Sequence, residues 1–382
     1  MRLGFSGWAW IAAAALGGCQ VYDPSLVGRD AGMDAGPPFD AGPGGPCEGH
    51  RPPPRPTSAD GADVPEAWYG LRLVVLRQSG DLWRDIGYNL DGLCTYRPTY
   101  ATECQPTLPR PETDGTDGID NVFGGSLFPL VDATVMGLEE SARAAQEAGS
   151  LPVLRIRNWN GTPDDPRIEI TITQAIDMVP GTGQPSPPAG VTFSDYQAQI
   201  GGTPAAEPVW DGEDFGWMRV DTFLGGNLDQ PRVYDDNAYV AGGVIVASLP
   251  TNVEILFPAE TTGVVVRIAG GIATARIGAD GITLEDVVVA GRWRVVDLLS
   301  TAENVGVCMG SGEYDLLEAR LYQIADVRGE PGTGGMGVPC DAISLGVGFT
   351  GTKLRVAGTT LGRPVANVCL TTADGGVPDA GP

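Results

Sequence analysis

Residues 3–18 (LGFSGWAWIAAAALGG) carry no charge, follow the single Arg2 and close on Gly17-Gly18 just before Cys19. A basic start, an apolar run and small residues at its end are the layout of an export signal. The run is short for a membrane span, which takes roughly 20 apolar residues, and the paired glycines would end a helix abruptly. Residues 1–18 are therefore expected to be a signal peptide. That reading constrains the fold more than any other stretch, because an exported chain folds where thiols oxidise and its cysteines become staples.

Leu16-Gly17-Gly18-Cys19 resembles the lipobox of bacterial lipoproteins: a branched apolar residue, two small ones, then the cysteine that is modified. The resemblance implies a diacylglycerol thioether on Cys19, cleavage before it, and acylation of the new amine. Several acyl chains hold a protein on a membrane where one would bind only marginally. Gln20, standing where an aspartate would signal retention, implies passage to the outer membrane. Setting Cys19 aside leaves Cys47, Cys94, Cys104, Cys308, Cys340 and Cys369, an even set consistent with three disulfides. Cys94 and Cys104 flank a short proline-containing loop and are expected to pair, leaving two bonds among the other four. Zinc is a poor alternative, since there is no Cys-x-x-Cys and the sole histidine is His50.

Residues 19–62 read as a tether: Asp-Ala-Gly recurs three times in residues 30–46, and Pro52 to Pro56 add a stiff segment. Such sequence has little apolar surface to offset the entropy of ordering. The same composition returns in residues 373–382, a tail. Between them, residues 63–372 are expected to form one domain, with the loop at 180–190 as the one place where a subdivision could fall.

Within that domain the apolar pattern is mostly that of strands. Ile168, Ile170 and Ile172 alternate with Arg167, Glu169 and Thr171, the period of a half-buried antiparallel strand. Similar pieces are expected at 71–76, 153–157, 191–200, 216–223, 239–249, 252–257, 264–269, 272–277, 282–289 and 342–356. Helices are expected at 131–148, 292–299 and 313–327, the last capped by Ser311. With 56 glycines and 32 prolines, the chain favours β structure with long loops. The expected fold is mainly β, a β-sandwich or jelly-roll-like body with two or three peripheral helices.

The net charge of −24 repels nucleic acid and concentrates cations. Asp114-Gly115-Thr116-Asp117-Gly118-Ile119-Asp120-Asn121 spaces carboxylates three residues apart with glycines between, so that a curling backbone could turn oxygens onto a hard cation. It lacks the EF-hand pattern but resembles one unit of the Asp-Gly-rich calcium loops of thrombospondin type 3 repeats. That resemblance implies Asp114, Asp117, Asp120 and Asn121 as calcium ligands, with the alternative of a solvated turn cluster. Asp211, Glu213 and Asp214 between Trp210 and Trp217 suggest a weak sugar or cation site, which Asp229, Asp235 and Asp236 could join; buried aromatics and solvated acids are the plainer reading. With His50 near the tether, no Ser-His-Asp or Cys-His arrangement is available to the domain. The glycine-rich run 329–337 lacks the lysine of a phosphate loop.

Taken in order, Asn89-Leu90-Asp91-Gly92, the Asp-Gly cluster, the segment 158–165 (NWNGTPDD), Ala290-Gly291-Arg292-Trp293 and the segment 339–349 (PCDAISLGVGF) are similar to a group of myxobacterial-type surface lipoproteins. The resemblance spans roughly residues 70–360 and implies a secreted, disulfide-stapled, mostly β unit; it supplies no catalytic residues. Two functions follow as expectations. The first is a lipid-anchored envelope or cell-surface protein with a binding or structural role, stabilised by calcium, with a glycan or protein partner. The alternative is a carboxylate-based hydrolase of extracellular or envelope glycan, whose two acids would stand at hydrolase spacing.

Overall fold

A computed structural model describes residues 49–58, 61–97, 100–109, 111–134, 137–200, 207–250, 253–258, 263–362 and 367–369. The signal segment, Cys19, Cys47 and the tail at 373–382 lie outside the described residues. The strands are β1 (Ala67–Val75), β2 (Leu151–Arg157), β3 (Asp165–Val179), β4 (Phe215–Arg219), β5 (Tyr234–Ala241), β6 (Val244–Leu249), β7 (Val253–Pro258), β8 (Gly263–Ile277), β9 (Thr283–Arg294) and β10 (Ala342–Thr360). The helices are α1 (Phe128–Thr134), α2 (Leu138–Glu147), α3 (Phe193–Ile200), α4 (Val295–Asn304) and α5 (Gly312–Ile324).

The sheet closes on itself. Antiparallel neighbours run β1-β2-β3-β5-β6-β8-β9-β10 and return to β1, making an eight-stranded barrel. This corrects the expected β-sandwich or jelly roll, and five α-helices stand among the described residues where two or three were expected. Period-2 alternation is common to sandwiches and barrels, so it could not separate them. The decision lies in two remote pairings, Trp68 with Leu354 and Asp165 with Val240, which join what would otherwise be sheet edges. Bulges help the wall curve, including one between Arg72 and Val75 where Leu73 takes a φ of 49°.

Inward faces alternate along each strand. Tyr69, Leu71, Leu154, Ile156, Ile168, Ile170, Ile245, Val289, Leu345 and Val347 belong to one core, while Arg157, Arg167 and Glu169 occupy the alternate positions. The barrel is packed rather than hollow, with its apolar faces turned inward, the reverse of the lipid-facing pattern of a membrane barrel. No helix among the described residues is long and apolar enough to cross a membrane.

Strand β4 adds a second closure. It pairs antiparallel with the end of β3 and parallel with the end of β10, so that β1, β2, β3, β4 and β10 form a smaller ring. Trp68, Leu151, Val153, Met178, Met218 and Leu354 pack as its core. Trp68 and Tyr69 are consecutive and point to opposite faces, so β1 serves both cores. The loop at 180–190 leads into this second ring, and the described residues belong to one compact unit.

Local chemistry explains several differences from the expected elements. The helix expected at 131–148 is split into α1 and α2 at Gly137, whose φ is 84°. Residues 193–200 form α3 instead of a strand, and the Thr192 hydroxyl accepts from the Asp195 amide as an N-cap. Arg292 lies in β9, the helix starting only at Val295. Ser311 caps α5, its Oγ accepting from the Tyr314 amide. Pro52 to Pro56, expected in the tether, lie against the barrel: Tyr239 donates to the Pro53 carbonyl at 2.7 Å, and Arg55 bonds the Pro166 and Asn237 carbonyls.

Two disulfides are seen among the described residues, Cys104–Cys340 and Cys308–Cys369. The expected Cys94–Cys104 pair does not form; Cys94 is disulfide-bonded, with its partner outside the described residues. Nearness in sequence was a poor guide because Cys104 sits on an excursion that crosses the barrel to reach the start of β10.

Candidate functional site

That excursion runs from Leu76 to Leu127 and covers the outer face of β8, β9 and β10. Asn121 anchors it. Its Oδ1 accepts from Gly124 and Gly346 amides, both at 3.0 Å, and its Nδ2 donates to Gln78 Oε1 at 2.7 Å, to the Ile86 carbonyl at 2.8 Å and to the Trp83 carbonyl at 3.1 Å. Gly346 is required here, since a Cβ would stand 2.1 Å from the Ile86 carbonyl oxygen. The excursion is further tied by Tyr88, hydroxyl to hydroxyl with Thr274, and by Ser344, whose Oγ accepts from the Val122 amide at 2.9 Å.

The Asp-Gly loop curls as its glycines allow, but its four expected ligands do not face one point. Asp117 has a φ of 51° and an exposed side chain, while its carbonyl accepts from the His50 amide. Asn121 is fully engaged in the hydrogen bonds just described. Asp114 and Asp120 turn inward, and the fold sets them near two acids that the loop motif did not include, Asp91 and Asp326. Asp120 is only 3% exposed, and the other three are partly buried. Each holds a backbone amide: Asp120 Oδ2 accepts from Leu90 at 2.6 Å, Asp91 Oδ1 from Leu93 at 2.7 Å, Asp114 Oδ2 from Thr95, and Asp326 Oδ1 from Ser344 at 2.8 Å.

Electrostatics sets this group apart. Burial raises all four carboxyls; repulsion from the other aspartates raises Asp114, Asp120 and Asp326 further, and repulsion from Glu103 raises Asp91, so that Asp114 is pushed up to about 8 and Asp326 to about 7. The nearby cation, Arg292, is buried and forked onto Glu103, Nη1 to Oε1 at 2.6 Å and Nη2 to Oε2 at 2.9 Å. It also donates to the Leu90 and Arg328 carbonyls, so its charge is matched and its donors are engaged. Its charge still favours the ionised form of Asp91, but among the described residues no cationic side chain offsets the burial of Asp114, Asp120 and Asp326. Oxygen donors of this kind suit a hard cation. Among the described residues, no three acidic, histidine or cysteine side chains converge as a metal-binding group.

The second candidate, around the tryptophans, is built differently. Trp217 is fully buried, donates to the Val191 carbonyl at 3.0 Å and packs with Tyr196, Phe193 and Phe215 in a small core. Asp214, also fully buried, accepts from the Val209 and Trp210 amides, and burial raises its carboxyl. Trp210, at a φ of 60°, lies under the Arg72 guanidinium at 4.1 Å. Asp211 accepts from the Glu213 amide and Thr182, and Glu213 pairs with Arg355 at 3.1 Å. These residues shape a turn and fill a core.

Asp91, Glu103, Arg292 and Asp326 were missed as site residues by sequence. Asp91 stands in the Asn-Leu-Asp-Gly phrase, a usable signal, whereas Asp326 follows α5 with nothing local to mark it. No family model, no curated protein and no solved structure matches the chain.

Proposed function

We propose that the chain is a lipid-anchored protein of the bacterial cell envelope, an outer-membrane lipoprotein with a binding or structural role, whose excursion is stabilised by a hard cation such as calcium. One observation carries the cation: Asp91, Asp114, Asp120 and Asp326 are gathered in a desolvated region where Arg292 is already matched by Glu103. Gathered carboxylates in such surroundings either keep their protons or take a compensating positive charge. A cation would supply that charge, and in an acidic chain of net charge −24 its local concentration is raised.

The anchor rests on Leu16-Gly17-Gly18-Cys19, so the membrane is the partner proposed through the lipid. Labelled fatty acid should enter the chain and be lost in Cys19→Ala; a mature chain without lipid would overturn this half of the proposal. For the cation half, calcium should raise the melting temperature, and the combined Asp120→Asn, Asp326→Asn change should abolish the rise. The hydrolase alternative needs two acids facing each other over a tryptophan floor. With Trp217 in a core and Asp214 bound to amides, nothing at residues 210–217 favours it.

A further inference from the structure

Strand β3 changes partners midway. It pairs with β5 up to Thr171 and Tyr234, and with β4 from Ala175 and Met218 onward, so residues 172–174 lie at a fork in the sheet. A cavity of about 360 Å³ opens there, with Arg219, Thr222, Arg232, Pro250 and Val253 among its walls beside Thr173. Places where strands part bring side chains from different elements around one opening, which is why ligand sites favour them.

Its charges do not cancel. Arg219 pairs with Asp221 at 2.6 Å, and Glu254 is held by Arg267 at 2.8 Å. Arg232 is exposed and makes no side-chain hydrogen bond or ion pair among the described residues. A guanidinium left over in this strongly acidic chain is a forked donor suited to a carboxylate. The hydroxyls add a second preference. Thr222 donates to the Arg219 carbonyl at 2.6 Å, and the Thr173 and Thr222 hydroxyls bond each other at 2.6 Å. With Thr222 donating to that carbonyl, the shared proton comes from Thr173, so what this pair offers a ligand is acceptor lone pairs. Pro250 and Val253 supply an apolar wall.

From these features we infer that the fork binds a compact sugar acid, a hexuronic acid unit. Its carboxylate would meet Arg232, its hydroxyl protons the Thr173 and Thr222 oxygens, and its ring carbons Pro250 and Val253. Inorganic phosphate lacks the ring and the array of hydroxyl donors, and a neutral hexose lacks the charge. The site is separate from the aspartate cluster, so failure of one proposal leaves the other standing.

The test is titration of the full chain with D-glucuronate, D-glucose and inorganic phosphate, followed by calorimetry or NMR. Glucuronate should bind saturably with a dissociation constant on the order of 1 mM. Arg232→Gln should weaken it about tenfold or more, as loss of a charge-assisted hydrogen bond does, without changing the melting temperature. Arg320→Gln, a half-buried arginine on α5 without a side-chain partner among the described residues, should leave binding unchanged. Glucose and phosphate should bind about tenfold more weakly than glucuronate, or worse. The inference is overturned if glucuronate does not bind, if folded Arg232→Gln binds it as the parent does, or if glucose or phosphate binds as well.

Discussion

Asn121→Ala should be among the most damaging single changes in the chain. It leaves the Gly124 and Gly346 amides without acceptors, and the Ile86 carbonyl and Gln78 Oε1 without their donor, all in a site where Asn121 itself is 1% exposed. Orphaned amides at about 1.5 kcal/mol each and orphaned acceptors at about 0.5 kcal/mol each sum to roughly 4 kcal/mol. At about 2 °C per kcal/mol for a chain of this size, the melting temperature should fall by roughly 8 °C. Differential scanning calorimetry on the parent, Asn121→Ala and Asn121→Asp would measure this. The aspartate keeps the acceptors but replaces the donors with a charge facing the Ile86 and Trp83 carbonyls, so it should lose at least as much. As a calcium ligand, Asn121 would behave oppositely, with aspartate tightening the metal. A stable Asn121→Asp protein with stronger calcium binding would refute the anchoring role.

Replacing Cys104 and Cys340 by serine opens a crosslink that spans 236 residues; the expected loss is about 3–5 kcal/mol, read as a lower denaturant midpoint, and an unchanged midpoint would contradict the link between excursion and barrel. Trp217→Ala should cost about 3–5 kcal/mol by emptying the core shared with Tyr196 and Phe215, where a surface sugar platform would lose almost nothing.

The strand segments were legible because their physics is local. Ile168, Ile170 and Ile172 announce a strand, and Ser311 before the Tyr314 turn announces a helix start. Thr192 and Asp195 carried an equally local capping signal for α3, overlooked because the apolar residues nearby also suit a strand. Barrel closure was not local: it depends on β1 meeting β10 across most of the chain. The candidate site divides in the same way. Asp114 and Asp120 were found through the loop motif, but Asp326 reaches them only because α5 returns the chain to the start of β10, and Asn121 proved to serve the backbone.

The central claim is that the aspartate cluster carries a charge deficit that a cation can fill. Asp326 at about 7 and Asp114 at about 8 lie above their unfolded values near 4, so the folded chain holds protons that the unfolded chain has lost. Without divalent cations, the stability these groups contribute should therefore be fully present below about pH 4 and be lost as pH rises through about 7 and 8. The direct measurement is the melting temperature at pH 5 and pH 8, in chelator and in calcium. The account predicts a lower value at pH 8 in chelator, restored by calcium at pH 8 with little effect at pH 5. Calcium that leaves the pH 8 value unchanged, or acts equally at both, would contradict it.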